Sequence, residues 1–116
     1  MTLREIVAAL GCHVVCGEGE LDTTVDVACG SDLMSDVLAF IKPGSLLLTG
    51  LANLQSVRTA DVADARAIVY VRGKEPDADA IALAQERRIP LLCTQLTMYE
   101  ACGKLYEAGL PGKTSG

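Results

Sequence analysis

Asp32 and Asp36, with Ser35 beside them, are the side chains of this chain with the clearest chemical potential. On a helix, residues four apart share a face. The two carboxylates would then form an acidic patch suited to ribose hydroxyls, an amine or a divalent cation. The same residues also have an ordinary reading. Ser31 or Asp32 can cap a helix, and an acid near a helix N-terminus gains about 0.3–1 kcal/mol from the dipole. A bare phosphate would meet two negative charges there. A second polar set is free of acids. Thr49-Gly50 and Asn53 form a strand-to-helix turn whose amides could hold an anion, with Arg58 one turn further on. Its plain reading is a capped turn. Arg72-Gly73-Lys74 and Thr94-Gln95 follow two later strand-like runs. The candidate ligand-binding residues are therefore Asp32, Ser35, Asp36, Thr49, Gly50, Asn53, Arg72 and Thr94.

Other patterns carry less. Cys12-His13-Val14-Val15-Cys16 invites a metal reading. In a strand, Cys12 and Cys16 would lie about 13 Å apart, too far to share a zinc with bonds of about 2.3 Å. His13 would point to the opposite face. The five cysteines are expected to be small buried hydrophobes, with no metal and no cofactor. Cys29, beside the Gly30 turn, is the least easily dismissed of them. Gly112-Lys113-Thr114 resembles the end of a phosphate loop, but the required preceding glycine is replaced by Glu107 and no helix-length segment follows. No Ser-His-Asp set, Cys-His set or Gly-x-Ser-x-Gly turn emerges. The chain is not expected to be an enzyme.

The elements that must position these residues follow from periodicity and capping signals. Thr2 with Glu5 fits a capping box for a helix over 3–10, whose apolar stripe is Leu3, Ile6, Val7 and Leu10. Strands are expected at 12–16, 25–29, 45–49, 67–71 and 89–93. Helices are expected at 32–41, 53–63 and 76–88, and after Thr97, whose Glu100 completes a second capping box. In the second helix Leu33, Met34, Val37, Leu38 and Ile41 are expected to face the core. Strands alternating with helices imply parallel pairing with right-handed crossovers. The expected architecture is a three-layer α/β/α sandwich around a largely parallel sheet of four or five strands. It forms one domain over residues 1–110, with 111–116 as a tail. Ligands in such sheets bind beyond the carboxyl ends of the strands, which would place Thr49-Gly50, Arg72-Gly73-Lys74 and Thr94-Gln95 on one rim.

Composition limits the partners. The chain has 116 residues and a formal net charge of -5. That balance argues against a nucleic-acid backbone, which requires clustered Lys and Arg. No apolar run approaches the roughly 20 residues of a membrane span, and Met1-Thr2-Leu3-Arg4-Glu5 lacks the order of a signal peptide. A cytoplasmic protein is expected, where thiols stay reduced.

The order of elements, with Gly-Ser-Asp-Leu-Met-Ser-Asp-Val at 30–37 and Pro-Gly-Ser-Leu-Leu-Leu-Thr-Gly at 43–50, resembles the DRTGG domain family. Ala67-Ile68-Val69-Tyr70-Val71-Arg72-Gly73 and Ile89-Pro90-Leu91-Leu92-Cys93-Thr94 fit the same pattern. The resemblance covers about residues 2 to 110. It looks closest to small stand-alone members labelled HPr serine kinase-like, and the fold resembles the N-terminal domain of HPr kinase/phosphorylase. The kinase chemistry of that enzyme resides in a separate phosphate-loop domain, so a kinase activity is not implied. The resemblance implies a regulatory or assembly domain that senses a small metabolite or docks on a partner protein. A dedicated module for an adenine nucleotide or phosphorylated metabolite is the alternative. Two departures stand out: Gly50-Leu51-Ala52 where many members have Gly-Asp-Arg, and Arg72-Gly73-Lys74 where they have Thr-Gly-Gly. Related modules act within assemblies, so a homodimer is expected, with Leu51 and Leu54 at its interface.

Overall fold

Leu46-Leu47-Leu48-Thr49 and Ala67-Ile68-Val69-Tyr70 are buried at every position. Only strands covered on both faces can be apolar along their whole length, and these two are the centre of a five-stranded sheet. The computed structural model describes residues 1–112. In chain order the elements are α1 (Leu3–Leu10), β1 (His13–Cys16), a short 3-10 turn (Glu18–Glu20), β2 (Ala28–Gly30), α2 (Met34–Phe40), β3 (Leu46–Thr49), α3 (Leu54–Val62), β4 (Ala67–Tyr70), α4 (Ala78–Arg87), β5 (Leu91–Cys93) and α5 (Met98–Glu107). The sheet order is β1-β5-β4-β3-β2. Strands β2 to β5 pair in parallel, and β1 joins β5 antiparallel.

This order explains the layers. From β2 to β5 the chain steps in one direction, and right-handed crossovers then put every connecting helix on the same face. Met34 and Val37 of α2, Val57 and Ala60 of α3, and Ala80 and Ala84 of α4 pack with Leu47, Ile68, Tyr70 and Leu91 on that face. The other face, with Leu46, Leu48, Val69 and Leu92, is covered by Leu3, Ile6 and Leu10 of α1 and Ala101 and Leu105 of α5. The expected α/β/α sandwich is thus present, with five strands and one of them antiparallel. Both capping boxes form as read, at Thr2–Glu5 and Thr97–Glu100.

Several boundaries differ from expectation. Helix α2 starts at Met34, not at 32, and its capping residue is Leu33, which has no cap-bonding side chain. The reason lies upstream. The Ser31 N–H donates to the Leu48 carbonyl at 3.0 Å, so the chain is still following β3 at Ser31. The Ser31 hydroxyl accepts from the Leu33 N–H at 3.1 Å, forming a turn before the helix rather than a cap on it. Asp32 is therefore not helical. The shortened helix turns only Met34 and Val37 fully inward, while Leu33 and Leu38 are 57% and 52% exposed, against their expected core positions. Strand β2 is shifted to 28–30, although Val25 and Val27 are buried ahead of it. Helix α4 is capped by Asp77, one residue after Pro76. Leu51 and Leu54 are half-buried rather than exposed. At the end of the chain the Pro111 carbonyl accepts the Ala28 N–H at 3.0 Å, so residue 111 is tied to β2. Lys113, Thr114 and the remainder of the expected tail lie outside the described residues. No helix among the described residues is long and apolar enough to cross a membrane.

Candidate functional site

The carboxyl ends of β3, β4 and β5 form a single rim, and Asp32 reaches into it from the loop before α2. Its Oδ1 accepts the Gly50 N–H at 2.6 Å and the Thr49 hydroxyl at 3.1 Å. Its Oδ2 lies 3.6 Å from Nη2 of Arg72. One carboxylate thus bonds the end of β3 and pairs with the second residue past β4. Thr49 Oγ1 in turn accepts the Leu51 N–H at 3.1 Å. The side chains of Arg72 and Asp32 are about half-exposed, at 49% and 53%, so solvent and solutes reach the pair.

The backbone at Arg72 is unusual. Its φ is +59°, and Gly73 follows at +69°. A left-handed non-glycine residue is uncommon, and this one is held by two ladder-like bonds. The Arg72 N–H donates to the Leu96 carbonyl at 2.7 Å and the Gly73 N–H to the Thr94 carbonyl at 2.9 Å. A side chain at Gly73 would come within 2.7 Å of Gln95 Oε1. At Gly50 a Cβ would run into the Arg72 guanidinium. Both glycines leave room for the side chains across the rim. Helix α4, which follows β4, and helix α5, which follows β5, lie on opposite faces of the sheet. That divergence is where open α/β sheets form ligand crevices.

The structure brings Asp32, Thr49, Gly50 and Arg72 together and separates the other expected site residues from them. Asn53 caps α3, accepting the Ser56 N–H at 3.3 Å. Thr94 is buried and donates to the Leu10 carbonyl at 2.7 Å, joining the rim to α1. Ser35 and Asp36 are exposed on α2, and no side-chain hydrogen bond of theirs is seen among the described residues. The expected shared face for Asp32 and Asp36 does not form, because only Asp36 is on the helix.

One grouping escaped the sequence reading. His13 of β1 stands opposite Cys93 of β5, and Glu75 reaches both from the β4–α4 connection. The His13 Nε2 and Glu75 Oε1 atoms are 3.2 Å apart. His13 and Cys93 are 80 positions apart, and only the antiparallel pairing of β1 with β5 joins them. Nothing short of that pairing signals it.

A family model for the DRTGG domain matches residues 5–108. The chain belongs to the DRTGG domain family. No curated protein sequence matches this DRTGG domain. Among solved structures it is similar to the CBS and DRTGG domains of the regulatory region of a Clostridium perfringens pyrophosphatase, complexed with the activator diadenosine tetraphosphate. The identity is 16% and the TM-score 0.77, over 95% of this chain and 47% of that one. The present chain therefore spans about half the length of that regulatory region, and the likeness is one of fold. Gly50-Leu51-Ala52 and Arg72-Gly73 both lie on the rim that Asp32 closes.

The thiols of this DRTGG domain are all free. Burial pushes Cys12 up to about 11 and Cys93 up to about 12. Near Cys93 the Glu75 carboxylate acts in the same direction. Burial also raises Cys29, with Asp36 adding to the effect. Protonated thiols of this kind are poor nucleophiles. Concave surfaces occur away from the rim. A cleft of about 300 Å³ lies between Gly17–Glu20 and the end of α4 at Gln85 and Arg88. A groove of about 440 Å³ runs beside β2, lined by Cys29, Phe40 and Ile41.

Proposed function

We propose that this DRTGG domain is a non-catalytic regulatory or assembly domain that senses a small metabolite or docks on a partner protein, with the Asp32–Arg72 rim as its sensing element. One observation carries the reading. Asp32 holds a carboxylate against the Gly50 N–H at 2.6 Å and near the Arg72 guanidinium, which are donors that an anionic ligand would use. A phosphate or carboxylate from a metabolite can compete with Asp32 for both. Its binding would release the loop that leads into α2 and pass the signal to that helix. The non-catalytic part of the reading is supported by the rim hydroxyls, since Thr49 and Thr94 are engaged in internal bonds.

A dedicated adenine-nucleotide or phosphorylated-metabolite module is the second reading. It is favoured by the exposed Arg72 and by the adenine-nucleotide activator in the pyrophosphatase regulatory region. Self-association as a two-fold dimer, the commonest homo-oligomer, is supported by Phe40, which is 77% exposed beside β2. The five free thiols fit a reducing cytoplasm.

Thermal melting of the chain with ATP, diadenosine tetraphosphate, acyl-CoA and sugar phosphates tests the rim. A ligand at 100 times its Kd adds about 2.7 kcal/mol. Arg72→Ala is expected to abolish the shift, and Asp32→Asn to strengthen binding of an anion by removing its internal competitor. If Asp32→Asn weakens binding instead, Asp32 contacts the ligand itself. If none of these compounds raises the melting temperature, the sensing role fails and docking on a partner remains.

A further inference from the structure

At the other end of the same rim, three side chains with different donor atoms converge from three separate parts of the chain. Cys93 ends β5, and His13 opens β1 directly across from it in the antiparallel ladder. Directly opposed residues of neighbouring strands project to the same side of a sheet. Cys93 packs on the face covered by α2, α3 and α4. Glu75 lies in the connection that leads from β4 to α4 on that face. The ligating atoms of the three residues all lie within 4.8 Å of one another. His13 and Glu75 are more than half exposed, at 58% and 55% of their side chains, while Cys93 is 2% exposed. The cluster therefore has a sulfur floor and a solvent-facing nitrogen and oxygen.

We propose that His13, Glu75 and Cys93 form a binding site for a thiophilic divalent transition metal of the zinc class. Imidazole nitrogen, thiolate sulfur and carboxylate oxygen are all zinc ligands, with bonds of about 2.0–2.3 Å. The Cys93 thiol, protonated in the metal-free chain, gives up its proton to solvent as the metal binds. A tetrahedron with bonds of that length separates its donors by about 3.3–3.8 Å. The His13–Glu75 distance of 3.2 Å is already at this scale, and two exposed side chains can close on the sulfur without moving a strand. Magnesium and calcium prefer all-oxygen shells, so a thiol-bearing set discriminates against them. Three protein ligands leave a fourth position open to solvent, the arrangement of exchangeable rather than closed structural sites. The metal would tie β1 to β5 and to the β4–α4 connection. That connection also carries Arg72, three residues before Glu75. The site does not depend on anion binding by Arg72, and either can be lost without the other.

The test uses the reduced chain, stripped of metal with a chelator and titrated with Co²⁺. One equivalent is expected to produce sulfur-to-cobalt charge-transfer absorption and tetrahedral d–d bands, displaced by one equivalent of Zn²⁺. Cys93→Ser is expected to remove the charge-transfer absorption, and Cys12→Ser to leave it. His13→Ala and Glu75→Gln are each expected to weaken Co²⁺ binding by at least about tenfold, a loss already reached when a mere outer-shell partner of a ligand is removed. These two positions are exposed, so both variants keep the metal-free melting temperature and decide the matter even if Cys93→Ser fails to fold. Wild-type chain without charge-transfer absorption would overturn the site. So would absorption that persists in Cys93→Ser, or binding that is unchanged in both His13→Ala and Glu75→Gln.

Discussion

Asp32 and Asp36 are the same residue type four positions apart, yet they have different work. Asp32 accepts two hydrogen bonds and pairs with Arg72. Asp36 is a solvated residue in the first turn of α2. Asp32→Ala is therefore expected to destabilise the chain by about 1 kcal/mol. Hydrogen bonds to a charged group are worth about 1.5–3 kcal/mol, and the half-exposed site lets water replace part of that. Asp36→Ala should cost less than about 1 kcal/mol, the scale of an exposed helix-dipole contact. Urea unfolding of the two variants checks the contrast, and equal losses would remove the special role of Asp32. Gly50→Ala acts on the same Asp32–Arg72 pair. Its methyl group would meet the flexible end of Arg72, so the guanidinium should swing away from Asp32 with little loss of stability. Ligand-induced shifts that require Arg72 should fall in that variant. The residue types at 32, 35 and 36 marked this stretch as a candidate site, but that Asp32 is the one of them that bonds the neighbouring loop was not legible. The choice depends on α2 beginning after Ser31 has followed β3, a tertiary bond with no local signal.

At the scale of elements, the readable features were those that local chemistry decides. Capping boxes at Thr2–Glu5 and Thr97–Glu100 use residues three apart, and both form. The largely apolar strands β3 and β4 required burial on both faces, and they have it. Features decided at a distance were not readable. The placement of β1 beside β5 creates the His13–Cys93 pair, and the packing of α2 through Met34 and Val37 leaves Leu33, Leu38 and Phe40 exposed. Phe40 is the sharpest case, because it ends α2 next to the edge strand β2. A large apolar residue there costs solubility unless something covers it. Phe40→Glu is expected to convert a self-associating chain to monomer with its melting temperature unchanged or raised. Sedimentation velocity at high micromolar concentration decides this. A wild-type chain already at 12.2 kDa would dispose of the dimer.

For the molecule as a whole, burial makes stability sensitive to alkali. Tyr70 is completely buried between β4 and α3. Burial pushes its hydroxyl from 10.0 up to about 12, outweighing the opposing influence of the neighbouring Ser56 hydroxyl. The two hydroxyl oxygens are 2.8 Å apart. Burial likewise raises the thiols of Cys16, Cys29 and Cys102 above 9.0. In the unfolded chain these groups lose their protons near their ordinary values, while in the folded chain they retain them to higher pH. Over that interval the folded state binds more protons, and stability falls as pH rises. The contribution is complete below 9.0, where both states are protonated, and it is lost as pH climbs through the raised values. Melting temperatures should therefore be level from neutral pH to about 8.5 and decline above 9, with Tyr70 joining the thiols above 10.0. Tyr70→Phe separates the contributions. It should cost about 0.5–1.5 kcal/mol at neutral pH, the net worth of one hydrogen bond, because the Ser56 hydroxyl keeps its bond to the Asn53 carbonyl at 2.7 Å. It should also flatten the decline between 10.0 and about 12, the ordinary and folded values for Tyr70. A variant whose melting curve falls in parallel with wild type across that interval would show that the Tyr70 proton is not what the core protects.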